Sequence, residues 1–397
     1  MPTPTVKGTS HPAFAAVRAL FSTHLQTGTE IGASLCVSIN GETVLDLWGG
    51  STASPATSST PAAPWEETTL VPVWSLTKLI TALSTLLLID RGQLSATTPV
   101  SHYWPAFTAS PRIQVRHLLS HTSGLAGWDS PGPTASEILD VEVCTARLIA
   151  QSPWWEPGTA SGYHILSYGF LLGGLIRQVT GRGLSEFIHS ELVVPLGAAG
   201  GFFLDLPERE WARIAALVPP PPAEWEMPVL EPGSVAARAI SSAAGAVGVD
   251  SPATPGFRHA EMGASDGFGN ARAINRILEV VTLKGVVGGK RFLKEETVDL
   301  IFQEQVSGVD LVLGTPVTFG VGMAMARPSG PSWLPDGRRV GYWTGWGGSL
   351  GLMDVERGVT VTYTMNKMDM GLAENERARE YVKAIYAALD GYLAATR

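Results

Sequence analysis

Strand-like segments lie at both ends of this chain and helical ones between them, and that order narrows what it can fold into more than any other feature. Residues 32–39 and 43–48 are β-type runs joined by Asn40-Gly41, a dipeptide that supplies the two positive-φ residues of a tight hairpin. Four more strand-like runs, 319–325, 339–344, 349–354 and 359–365, come near the other end. Helical spacing marks 12–25, where Phe14, Val17, Leu20, Phe21 and Leu25 share a face, and 75–91, which Gly92 is placed to stop. Further helices are predicted over 168–179, 271–282 and 374–393. A sheet with strands from both termini must then hold the helical middle as an insertion. The expected class is α+β, with an antiparallel sheet flanked by helices. It forms one unit in which 1–74 and 245–397 make the sheet subdomain and 75–244 the mainly helical one. Residues 51–64, rich in Ser, Thr, Pro and Ala, read as a surface loop, and 219–222 begin a proline-rich spacer.

Composition removes several function classes. At 397 residues and 45% apolar, the chain can bury a large core. Its net charge is −8 without a basic run, which disfavours nucleic-acid or anionic-membrane binding. Cys36 and Cys144 are the only cysteines, too few for a disulfide framework or a zinc cluster. The longest strongly apolar stretch, 79–89, is too short to span a bilayer, and the opening MPTPTVKGTSHPAF lacks a signal-peptide pattern. The expectation is a cytoplasmic globular protein. Nothing calls for a cofactor or a metal. His117 and His121 sit four apart, but the Glu of His-Glu-x-x-His is missing.

Two serine patterns remain. Gly347-Gly348-Ser349-Leu350-Gly351 has the spacing of a nucleophile elbow, yet an α/β-hydrolase needs its histidine after the serine, and the last histidine is His259. This segment reads instead as a glycine-rich strand edge where another backbone or a ligand comes close. Ser75-Leu76-Thr77-Lys78 fits better. At i and i+3 the two side chains share a helical face, and a desolvated lysine can give up its proton and assist the serine. The helix N-terminus adds N–H groups beside the reacting atom.

Trp74-Ser75-Leu76-Thr77-Lys78, His117-Leu118-Leu119-Ser120-His121-Thr122-Ser123-Gly124-Leu125 and Pro157-Gly158-Thr159 followed by Tyr163 occur in that order. With Val179-Thr180-Gly181 and the glycine-rich strand near Trp343, they resemble the serine β-lactamase-like superfamily, in its class C-like branch of family VIII carboxylesterases and related acyltransferases. The resemblance spans about Phe14 to Asn366. It implies a β-lactamase/transpeptidase-like fold and acyl transfer through a serine ester. Ser75 would be the nucleophile, Lys78 its helper and Tyr163 the residue that shares and delivers the proton. Trp343-Thr344-Gly345-Trp346 stands where β-lactamases have Lys-Thr-Gly and a small residue. The backbone N–H groups of Trp346 and Ser75 would form the oxyanion hole.

Two departures set the expected substrate. Trp343 replaces the lysine of Lys-Thr-Gly, and Ile165 replaces the asparagine usual two residues after the tyrosine. Losing a cation and an amide removes the groups that hold a lactam's carboxylate and amide, and favours neutral, hydrophobic esters. Trp343, Thr344, Gly345 and Trp128 are the expected substrate-binding residues. The implied protein is a serine carboxylesterase acting on a small-molecule ester. An acyltransferase would use the same residues with an alcohol or amine acceptor. A β-lactamase or D-amino-acid peptidase is disfavoured by Trp343 and Ile165. A non-catalytic binding protein would have no need of Ser75, Lys78 and Tyr163 together. No partner beyond a small ester is implied, and no feature fixes an oligomeric state.

Overall fold

The computed structural model describes residues 5–54, 62–221, 230–327, 330–369 and 375–396. Parts of the predicted 51–64 loop and of the proline-rich spacer therefore lie outside the described residues. The central element is a nine-stranded antiparallel sheet. Its strands are β1 (Val6–Ser10), β2 (Gly32–Ile39), β3 (Glu42–Gly50), β4 (Val306–Val309), β5 (Pro316–Phe319), β6 (Ala324–Met325), β7 (Val340–Thr344), β8 (Leu350–Asp354) and β9 (Val359–Met365). They lie in the order β1-β3-β2-β9-β8-β7-β6-β5-β4, so the β2–β9 pair joins the two ends of the chain, with Ala33 opposite Met365 and Ile39 opposite Val359. Asn40 and Gly41 turn the β2–β3 hairpin at φ 51° and 81°, the conformation that their residue types favour.

Five helices frame the sheet and the site: α1 (Ala15–Thr27), α2 (Thr77–Asp90), α3 (Ser167–Thr180), α4 (Ala271–Thr282) and α5 (Glu376–Thr396). Adjacent residues of a strand point to opposite faces, and β9 uses this fully. Tyr363 meets Tyr381 of α5, with ring centroids 5.2 Å apart, whereas Thr360 on the other face bonds Thr282 of α4 at 2.7 Å. Helices α1 and α5 therefore cover one face and α4 the other. Asn275 of α4 clamps the sheet by donating to Cys36 O and Thr360 O, both at 3.1 Å, while accepting from Ser38.

The predicted helices are all present, with ends shifted by a few residues. One predicted strand is not continuous: 319–325 is a hairpin, β5 and β6. Gly320 packs against Ile301 O, where a Cβ would come within 2.0 Å, and Gly322 takes φ 104°. Among the described residues, no helix is long and apolar enough to cross a membrane.

Candidate active site

Val71–Pro72 and Phe268–Gly269 pair as short strands and lead the chain into the site. Ser75 does not begin an α-helix directly. It lies in a 3-10 turn, Trp74–Leu76, ahead of α2, and Trp74 takes φ 50°. A non-glycine residue in this region is strained, and the surrounding contacts hold it there. The Trp74 carbonyl accepts from Thr77 Oγ1 at 2.6 Å, and the same hydroxyl oxygen accepts from Gly267 N at 3.0 Å. The indole packs on Trp346, with centroids 5.0 Å apart, and on Phe257.

Lys78 is 2% exposed and its Nζ lies 3.1 Å from Ser75 Oγ. It also donates to Ile165 O at 2.7 Å and Ala264 O at 2.9 Å. Burial pulls its pKa well below that of an ordinary lysine, and the charge of Asp266 opposes that pull. Two carbonyls and a hydroxyl thus orient the amine without a hydrogen-bonded carboxylate to lock it in the charged form. Ile165, expected from the resemblance to stand in place of an asparagine, supplies the lysine with a backbone acceptor.

Tyr163 faces the same pair. Lys78 Nζ lies 4.8 Å from its ring centroid, and its hydroxyl bonds Ser75 and receives the Trp343 indole N–H at 3.3 Å. Burial raises the phenol's pKa above its ordinary value, those two hydrogen bonds lower it, and the charge of Asp310 adds to the rise. At neutral pH Tyr163 is therefore a protonated donor. Its backbone N–H donates to Asp310 Oδ1 at 3.0 Å, and the same oxygen accepts from Val312 and Leu313. Asp310 thus ties the loop after β4 to the tyrosine.

Behind these groups stands an aromatic wall that the sequence did not disclose. His121, at φ 59°, stacks on Tyr168 at 4.6 Å and packs on Tyr163, Phe319 and Trp343. Its Nδ1 accepts from His164 N at 3.1 Å, and burial holds its pKa well below the usual histidine range. His164 is pushed down to about 4 by burial; its Nδ1–H donates to Gly162 O, and its Nε2 accepts from Ser123. Ser123 and His164 form a serine–histidine pair, but both are fully buried, so a substrate has no access to them. His117 Nδ1 accepts from Gln114 N, capping the short helix Val115–Leu119. Among the described residues, no three His, Cys, Asp or Glu side chains group to hold a metal.

The predicted oxyanion segment lies beside Val73 and Trp74, the residues just before Ser75, through backbone packing. Ser349 Oγ donates to Val73 O at 3.0 Å, and Gly345 N donates to Ser349 O at 2.8 Å. A Cβ on Gly345 would fall 2.2 Å from both Ser349 Oγ and Val73 O. The segment from Gly345 to Ser349 thus packs closely on the backbone of Val73, and it brings Trp346 against Trp74. Thr344 ends β7 opposite Leu350, and Trp343 lines the wall with Tyr163 at 5.1 Å. The structure does not bring Trp128 to this group. Its indole N–H donates to Cys144 O at 2.8 Å and its ring packs edge-on to Phe170, inside the helical core. A tryptophan near a motif in sequence gives no sign of which way its ring points, and here burial in the core won.

Besides that wall, two acids of the site escaped sequence reasoning: Asp266 and Asp310. Each is an acid in a loop without a motif around it, and only their burial at 0% exposure singles them out.

The beta-lactamase family model matches residues 17–384, and the chain belongs to that family. It is 30% identical to the esterase/beta-lactamase LipL of Mycobacterium tuberculosis, over 94% of this chain and 86% of that protein. The crystal structure of a family VIII carboxylesterase superposes with a TM-score of 0.87 at 28% identity, covering 97% of this chain and all of that one. A penicillin-binding protein homolog from Caulobacter crescentus gives the same TM-score at 29% identity and the same coverage.

Proposed function

We propose that the protein is a serine carboxylesterase that cleaves small to medium hydrophobic esters through an acyl-serine intermediate. The observation that carries this reading is the buried Lys78 amine 3.1 Å from Ser75 Oγ, its proton affinity lowered by burial. Neutral Lys78 takes the hydroxyl proton as Ser75 Oγ attacks the ester carbonyl. The N–H groups of Ser75 and Trp346 receive the oxyanion, a device in which each donor typically contributes about 10²–10³ in rate. Tyr163 donates its proton to the departing alkoxide and recovers one from Lys78. Water then attacks the acyl group by the reverse proton path.

An ester rather than a lactam is favoured by Trp343. Its indole replaces a cation, faces Phe319 and His121, and spends its N–H on Tyr163. The names of the similar proteins include esterases and a penicillin-binding protein homolog, so the side chains of the site carry the choice. The test is turnover of a short p-nitrophenyl ester and a chromogenic cephalosporin by wild type and Ser75→Ala. Ester turnover that vanishes in folded Ser75→Ala, with little cephalosporin turnover, is expected. Retained activity in Ser75→Ala would remove the nucleophile, and efficient cephalosporin turnover would remove the specificity argument. An added acceptor alcohol separates hydrolysis from acyl transfer by the ester product it forms.

A further inference from the structure

The turn 262–267 lies against the start of α2 and is gripped by three residues of that helix. Thr77 Oγ1 accepts from Gly267 N, Lys78 Nζ donates to Ala264 O, and Thr81 Oγ1 donates to Gly263 O at 2.7 Å. Gly169 of α3 makes room for it, since a Cβ there would fall 1.9 Å from Met262 O. The turn is closed on itself by Asp266, whose Oδ2 accepts from Met262 N at 2.8 Å and whose Oδ1 accepts from Ser265 N at 3.4 Å. We propose that Asp266 is a positioning residue for the acyl transfer, its carboxylate tuning through space how firmly Lys78 holds a proton while its turn fixes the lysine's Nζ. This inference rests on the ester-cleaving reading above.

The arrangement suits a base. A carboxylate hydrogen-bonded to Lys78 would hold the ammonium form. Asp266 instead spends its lone pairs on backbone N–H groups and reaches the lysine only by its field. Burial pushes Asp266 up to about 6 while the N–H groups of Met262, Ser265 and neighbours pull it down, so above that pH it is an anion. Burial weakens Lys78 as a base, and the nearby anion restores part of that basicity. The other ionisable groups around the lysine do not share this role. Tyr163 and Tyr168 are phenols raised by burial, His121 and His164 are held neutral, and the charge of Asp310 acts on Tyr163. The charge that counters the effect of burial on Lys78 is therefore that of Asp266.

The test follows the pH dependence of Ser75 labelling by a p-nitrophenyl alkylphosphonate on the full chain. Ser75 Oγ forms a bond to phosphorus, p-nitrophenolate leaves, and Lys78 takes the serine proton. Wild type is compared with Asp266→Asn and the shorter Asp266→Ser, of which one folded variant suffices, and with Thr81→Val, which loosens the same turn without changing charge. In the neutral variants the acid limb moves to lower pH. One unit below the wild-type midpoint, the rate relative to its own plateau rises roughly threefold or more. Thr81→Val lowers the plateau and leaves the limb in place. An unmoved limb in a folded Asp266 variant overturns the proposal, and so does an equal movement in Thr81→Val. Labelling that persists in Ser75→Ala sinks the nucleophile assignment instead, a separate outcome.

Discussion

Lys78 and Arg377 are both buried cations, at 2% and 5% exposure, and their surroundings treat the charge in opposite ways. Arg377, in the first turn of α5, pairs directly with the fully buried Glu30 at 2.9 Å and donates to Lys367 O at 2.7 Å. Burial disfavours its charge, but the oxygens of Tyr363 and Glu30 outweigh that, and its pKa is raised. Tyr363 in turn donates to Glu30. Lys78 meets carbonyls and a hydroxyl, and its pKa is lowered. One cation is a fixed clamp between the chain's two ends, and the other is poised to lose its proton. The difference lies in whether a carboxylate touches the cation or stands off behind backbone amides.

Substituting each cation by methionine sharpens that contrast. Lys78→Met is expected to lower ester turnover by about 10²–10⁴, the usual span for a general base. Its melting temperature should fall less than half as far as that of Arg377→Met, because burying the amine was already costly at neutral pH. Turnover near wild type would remove Lys78 from the mechanism. Arg377→Met leaves the buried Glu30 carboxyl without its cation, and an expected loss of about 3–5 kcal/mol is measurable by urea denaturation. A loss below about 1 kcal/mol, the range of an exposed pair, would mean that the clamp is not what holds the termini together.

Acid stability separates the two regions further. Unfolded histidines take up protons near pH 6.5, whereas burial pushes His117 and His164 down to about 4 in the fold. The unfolded state therefore binds more protons between those values, and stability falls as pH drops through that window before levelling off. Asp266, pushed up to about 6, works the other way, since the folded protein protonates it first as pH falls from there towards the ordinary carboxylate value. His121, also buried and held well below the usual histidine range, acts with these two, so the histidines outweigh Asp266 and acid brings a net loss of stability. Denaturation at pH 6.5 and 4.5 should show it, and His117→Gln should flatten it; a flat wild-type profile would contradict these assignments. The smallest effect belongs to Asn375, whose Oδ1 accepts from Ala378 N beside Arg377. Asn375→Ala should cost about 1 kcal/mol as a lost helix cap, with ester turnover close to wild type.

The hairpin at Asn40-Gly41, the helices and the Ser75–Lys78 spacing were all legible because each depends on residues within a turn or a pleat of one another. Strand 319–325 misled because the backbone contact of Gly320 with Ile301 is invisible in a local pattern. Trp128 misled because a short distance along the chain from a motif says nothing about which core a ring enters. The sequence by itself determined the order of elements, the Ser75–Lys78 spacing, and the apolar residues Trp343 and Ile165. Only the tertiary structure decided how strongly Lys78 holds its proton. That property depends on Ala264, 186 residues away, on Ile165 and on the charge of Asp266, and on the exclusion of water that folding brings about. Proton affinity is set by burial and by charges near in space, and neither is written in the neighbouring residues.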